Sequence, residues 1–129
     1  MQFNRLASYQ TLTDEEIAGN LEKRYTVERL LELCIQSIID SSRLLVALKG
    51  WGSSGNDRDA FLLLAERNVI NGALAERLVR AKAFRNILVH EYADVAPELL
   101  SAHLRTGFSD LKEFHAAVTE YLRNANLSS

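Results

Sequence analysis

Apolar residues recur at three- and four-residue spacing along most of this 129-residue chain. From Leu21 to Leu48 the pattern runs through Val27, Leu30, Leu31, Cys34, Ile35, Ile38, Ile39, Leu45 and Leu48. That rhythm lines one side of a helix and predicts the longest element of the chain. A start signal precedes it in "TLTDEE". Thr13 can accept a hydrogen bond from the Glu16 backbone N–H while the Glu16 side chain reaches back, and the acidic residues suit the positive end of a helix dipole. The segment Gln2 to Gln10 is weakly amphipathic, enough for a short helix.

"KGWGSSGNDRD" then breaks the pattern with three glycines among small polar residues. It reads as a flexible surface loop, with Asp57 or Asp59 capping the next helix. Ala60 to Glu66 predict that helix, a short one. In "NVINGA" the pattern breaks again, and Asn71 can cap a helix running from Gly72 to Tyr92. "ADVAP" ends that helix. Pro97 suits the first turn of a last helix, Pro97 to Arg123, with Leu99, Leu100, Leu104, Phe108, Leu111, Phe114, Val118, Tyr121 and Leu122 as its apolar stripe. The tail "NANLSS" is expected to fray. No strand-length alternation, internal repeat or low-complexity tract competes with these assignments. The implied fold is all-α: one domain over residues 1–129, an up-and-down bundle of four main helices with the segment around Phe61 inserted in a connection.

Composition narrows the function. Apolar residues at 47% and charged residues at 25% are those of a globular domain with a core of its own. A net charge of −2 argues against a generalist nucleic-acid binder with a broad basic surface and still allows a local basic patch. Cys34 has no second cysteine to pair with and lies in an apolar run, so it reads as a buried, reduced thiol. The start "MQFNRLASYQ" has no signal-peptide core, and no apolar run approaches the ~18 residues that span a bilayer, so a cytoplasmic protein without membrane contact is expected.

One stretch departs from this ordinary picture: "AFRNILVHEY", Ala83 to Tyr92. On a helical wheel at about 100° per residue, Leu74, Leu78, Ala81 and Leu88 lie within about 40° of one core line, and Arg85 and Tyr92 lie within about 20° of it. A buried arginine must be paired, or must face a cavity or an interface. Asp40 and Glu32 on the long helix are candidate partners. Val79, Ala83, Asn86, Ile87 and His90 gather on the other side, so the helix reads as buried on two sides, one of them against a second copy in a symmetric dimer. Asn86 and His90, four apart, share a face, and the amide can orient the imidazole. Arg85 and His90, five apart, point about 140° away from each other in a regular helix. Either the helix loosens near His90, or two copies face each other and form a composite site.

"FRNILVHEY" resembles the signature of the HEPN superfamily: Arg, a polar residue, three further residues, then His. The Tyr two residues later narrows the resemblance to the HepT-like toxin branch. "LLELCIQSIIDSS" and "RDAFLLLAERNVINGALAERLVRAKAFRNILVHEY" are similar to that branch's second to fourth helices, and the last helix is similar too. The chain departs from the family in its short first helix and in "GWGSSGND", where relatives often carry a proline turn.

The resemblance implies a homodimeric, metal-independent endoribonuclease without cofactor, the toxin of a toxin–antitoxin pair. Arg85 and His90 would be catalytic and Asn86 and Tyr92 supporting. The antitoxin would be a minimal (MNT-type) nucleotidyltransferase that silences the toxin by transferring AMP from ATP to Tyr92. These residue types suit cleavage of RNA, which carries its own 2′-OH nucleophile. An imidazole moves protons near neutral pH, and a guanidinium fork matches phosphate oxygens. Arg77, Arg80 and Lys82 offer a basic patch beside the motif, or an ordinary solvated face. His103 and His115 read as surface or packing residues away from any cluster, and Trp51 with its glycine loop as a cap on the bundle, with contact to antitoxin or RNA as the other reading. The alternative is a non-catalytic HEPN accessory subunit that binds nucleotide or RNA beside a nucleotidyltransferase.

Overall fold

The structure, a computed structural model, describes residues 14–52, 57–90 and 97–128. In chain order the helices are α1 (Asp14–Gly19), α2 (Leu21–Leu48), α3 (Asp57–Glu66), α4 (Gly72–His90) and α5 (Pro97–Ser128). Every regular element among the described residues is helical, and α3 is the short insertion expected around Phe61. No described helix is long and apolar enough to cross a membrane. The segment Gln2 to Gln10 and the Thr13 cap lie outside the described residues.

Local chemistry explains most of the ends. The Asn20 side chain accepts from the Lys23 backbone N–H at 3.0 Å and starts α2, a cap the apolar rhythm did not reveal. The Asn71 side chain accepts from the Leu74 N–H at 2.7 Å and starts α4, as expected. Helix α2 stops in a two-bond C-terminal turn: Gly50 N–H donates to Ala47 O and Trp51 N–H to Val46 O, each at 3.1 Å, with Gly50 at φ +68°. Helix α3 stops in the same way, with Asn68 at φ +62° in the glycine's place. Asn68 is a second stop signal that the apolar spacing does not reveal.

Two expected boundaries move, and a third lies outside the described residues. Helix α3 begins at Asp57, three residues earlier than Ala60, so Asp57 and Asp59 lie in its first turn rather than ahead of it. Those polar residues carry no apolar rhythm to announce a helix. Helix α4 is described to His90, and Tyr92 lies outside the described residues. Helix α5 continues to Ser128, past Arg123 and through the tail expected to fray, which contains neither glycine nor proline to stop it.

The chain divides into two compact units. In the first, 1–36 with 81–109, the core is Val27, Leu30, Leu31, Cys34 and Ile35 of α2, Phe84 of α4, and Leu100, Leu104 and Phe108 of α5. Helix α5 comes close to α2 here: a Cβ added at Gly107 would sit 3.2 Å from Leu31 Cδ2. In the second, 37–80 with 110–129, Ile38, Ile39, Leu45 and Val46 of α2 are buried with Phe61 and Leu64 of α3, Leu74 and Leu78 of α4, and Leu111 and Phe114 of α5. Fully burying a side chain such as Phe61 contributes about 2–3 kcal/mol.

Three residues expected on core stripes are outside: Leu48 is 74% exposed, and Leu99 and Leu122 are also exposed. The stripe of α2 instead passes through Ser42 to Val46. Ser42 is fully buried, its hydroxyl donating to the Ile38 carbonyl at 2.8 Å. On α5, Ser101 is likewise buried and accepts from Arg105 Nη1 at 2.9 Å.

Candidate active site

Helix α4 carries Arg85, Asn86 and His90 and remains α-helical through His90. The loosening before His90 that the sequence left open is therefore not what the backbone does. On a regular helix Arg85 and His90 leave the axis about 140° apart. The imidazole of His90 and all of Tyr92 lie outside the described part, as does the expected Asn86–His90 contact.

Arg85 is half-buried, and its Nε is fully buried with no hydrogen-bond partner among the described residues. Its Nη1 reaches Asn86 Oδ1 at 3.4 Å, a long and weak contact. Among the described residues of its own unit no carboxylate pairs with it. Glu32, one candidate, accepts instead from Arg29 at 2.9 Å. Asp40, the other, is exposed on α2, belongs to the second unit and has an interaction of its own. Asn86 meets Arg85 through its carbonyl oxygen, a neighbour that helical spacing does not assign to it.

The expected second apolar face is present in part. Ala83 and Ile87 are exposed and Val79 is half-buried. Phe84 is the buried residue among those described in this half of α4, about 80° from the core line drawn through Leu74. Its ring stacks on His103 of α5, with centroids 3.7 Å apart and planes 3° from parallel. Burial holds the His103 imidazole below its usual value of 6.5. His103 is thus a packing residue, one of the two roles expected for it. It is not remote from the motif, because its stacking partner is the residue before Arg85.

The basic patch loses a member. Arg77 Nε donates to Asp110 Oδ1 at 2.9 Å, and its Nη2 is held by Glu113. The hydrogen bond to Asp110, with the charges of both acids behind it, raises the Arg77 guanidinium above its usual range against the opposing effect of burial. An arginine committed to two carboxylates is a poor phosphate ligand. Arg80 is exposed, and Lys82 is half-buried with an interaction of its own. The signal for Asp110 was its place beside the apolar residues of α5. Trp51 is the expected cap: it meets Tyr121 edge to face at 6.1 Å and lies 5.3 Å from the Arg67 guanidinium. Among the described residues no group of three or more His, Cys, Asp or Glu could hold a metal ion.

Residues 2–118 match the family described as ribonuclease HepT-like. Over 95 residues the chain is 30% identical to a tRNA nuclease HepT of Aphanizomenon flos-aquae, a span of 73% of this chain and 64% of that protein. Over 84 residues it is 27% identical to an mRNA nuclease HepT of Shewanella oneidensis, covering 65% and 63%. The chain therefore spans less than two thirds of either relative. Among solved structures, a chain of a toxin–antitoxin complex with AMP-PNP superposes with a TM-score of 0.79 at 21% identity, covering 91% of this chain and 92% of that one. A tri-AMPylated Shewanella oneidensis HEPN toxin in complex with an MNT antitoxin gives 0.75 at 20% identity, covering 92% and 94%. At these identities the likeness is one of fold.

Proposed function

The chain belongs to the ribonuclease HepT-like family, and from that premise we propose that it is a cytoplasmic, metal-independent endoribonuclease, the toxin of a toxin–antitoxin pair. The observation that carries the proposal is the family match over residues 2–118, with Arg85, Asn86 and His90 together on one continuous helix. The nuclease names of both curated relatives support it.

In this reading the site is composite. Two copies meet across the face of α4 that presents Ala83 and Ile87, and the Arg85 of one copy converges with the His90 of the other. The 2′ oxygen of RNA attacks the adjacent phosphorus, and the bond to the 5′ oxygen breaks. His90 takes the proton from the 2′ hydroxyl and supplies one to the leaving 5′ oxygen. Arg85 places its donors against the phosphate oxygens as negative charge builds up. A guanidinium with no carboxylate partner among the described residues of its unit is available to such a guest. Asn86 orients His90 or contacts the phosphate.

Silencing involves the same residues. A nucleotidyltransferase antitoxin joins the α-phosphorus of ATP to the Tyr92 oxygen, and pyrophosphate leaves. The AMP brings bulk and negative charge next to Arg85 and competes with RNA phosphate. The AMPylated Shewanella toxin in its antitoxin complex supports this reading.

The test is cleavage of single-stranded RNA by purified chain in the presence of a chelator. Wild type is expected to cleave and His90→Ala to be inactive with its helical content intact. Cleavage that persists in a clean His90→Ala preparation removes the proposed role of His90. An inactive wild type removes the enzyme.

A further inference from the structure

Between residues 81 and 87, Phe84 is the one buried side chain of α4; its neighbours are half-buried or exposed. Across residues 81–87 the helix therefore sends one buried ring into its unit. Phe84 is covered face to face by His103, 3.7 Å away and parallel to within 3°. Two flat rings packed this closely leave no room for either to tilt without losing the contact. Helix α5 is itself held there, because Gly107, one turn beyond His103 on the same face, lets it approach Leu31 of α2.

Arg85 comes directly after Phe84, and its side chain is tied down by little. Nε has no partner among the described residues, and the one hydrogen bond from Nη1 is 3.4 Å long. A guanidinium that is not locked by its own hydrogen bonds takes its position from the helix that carries it. Displacement of a catalytic group by about 1 Å can cost about a hundredfold in rate. We propose that His103 is a positioning residue for Arg85, acting through its stack on Phe84 to fix the turn of α4 that presents the guanidinium. The inference rests on the ribonuclease reading for its consequence in rate, but not for the physical coupling itself. Burial favours the neutral imidazole, and a neutral ring stacks without the desolvation penalty of a cation.

The experiment compares wild type, His103→Ala and His103→Phe by steady-state cleavage of one RNA oligonucleotide and by amide hydrogen exchange. In His103→Ala, kcat is expected to fall about tenfold or more with KM within about twofold of wild type. The amides of residues 84–90 should exchange faster than in wild type, while those of α3 are unchanged. His103→Phe, which keeps a planar ring, is expected to restore both readouts. Should the alanine variant fail to fold, His103→Leu fills the volume without a planar face and takes its place, with the same expected direction. Wild-type turnover and exchange in the ring-less variant would overturn the proposal, as would a phenylalanine variant as slow as the alanine one. If wild type itself cleaves no RNA, the ribonuclease reading falls. The exchange measurement then decides the positioning role on its own.

Discussion

Arg77 and Asp110, 33 residues apart in sequence, meet at 2.9 Å and tie α4 to α5 within the second unit. The Asp110 side chain is only 7% exposed, against 33% for Arg77. Truncating Asp110 leaves a partly desolvated guanidinium with the more exposed Glu113 as its remaining acid. Asp110→Ala is expected to lower the free energy of unfolding by about 2–3 kcal/mol, whereas Glu113→Ala lowers it by less than about 1 kcal/mol. Urea denaturation of the two variants checks the order. Equal losses would mean that the buried acid is not the one that matters.

Arg85, two turns further along α4, predicts the opposite behaviour. It forms no ion pair with the described residues of its unit, and its buried Nε is unsatisfied. Replacing it by an apolar side chain of similar length removes an unpaired polar group. Arg85→Met is expected to leave stability within about 1 kcal/mol of wild type, or to raise it, while abolishing RNA cleavage. Arg85→Lys keeps the charge but loses the fork, and is expected to lose about a hundredfold in kcat. A loss of several kcal/mol in the methionine variant would show that Arg85 holds the fold together.

Asn68 and Gly50 both hold the left-handed conformation that ends a helix. A Cβ with no polar side-chain group to offset the strain costs about 1–2 kcal/mol there. Gly50→Ala and Asn68→Ala should each lower the melting temperature. Asn68→Gly should leave it unchanged or raise it slightly. Thermal melts of the three variants are enough to decide.

The stacked imidazole gives stability a pH dependence. His103 has a folded pKa depressed below the ordinary 6.5, so as pH falls through 6.5 the unfolded chain takes up a proton before the folded one does. The stabilisation is complete above that pH, declines as pH falls toward the folded pKa, and changes no further below it. Unfolding free energies between pH 8 and 5 should therefore fall less steeply in His103→Phe than in wild type. Parallel curves would show that the ring titrates normally.

Much of the fold could be read from apolar spacing, because long amphipathic helices repeat their signal many times. The stripe positions from Val27 to Ile39, and Leu100, Leu104, Phe108, Leu111 and Phe114, are buried as the spacing requires. The misreadings occur where polar residues enter the pattern. Ser42 and Ser101 are buried on the stripe because each satisfies its hydroxyl locally, and Asp57 to Asp59 start a helix without any apolar residue to mark it. The sequence sets Arg85 near the core line of its helix and leaves Arg77 as a patch or solvated residue, but shows a partner for neither. The arrival of Asp110 and Glu113 from α5 marks Arg77 as the structural arginine, while Arg85 has no carboxylate partner among the described residues of its unit. Phe84 and His103, 19 residues apart, carried no sign of meeting, since neither the wheel nor the spacing relates two different helices.

The central claim is that Arg85 of one copy and His90 of another act on the same phosphodiester. Arg85→Ala and His90→Ala chains, each inactive alone, can be co-expressed with different tags and purified as a mixed dimer. That dimer holds one site with both groups intact, so it should cleave RNA at about half the wild-type rate per dimer. A mixed dimer as inactive as its parents, beside an active wild type, would contradict the account.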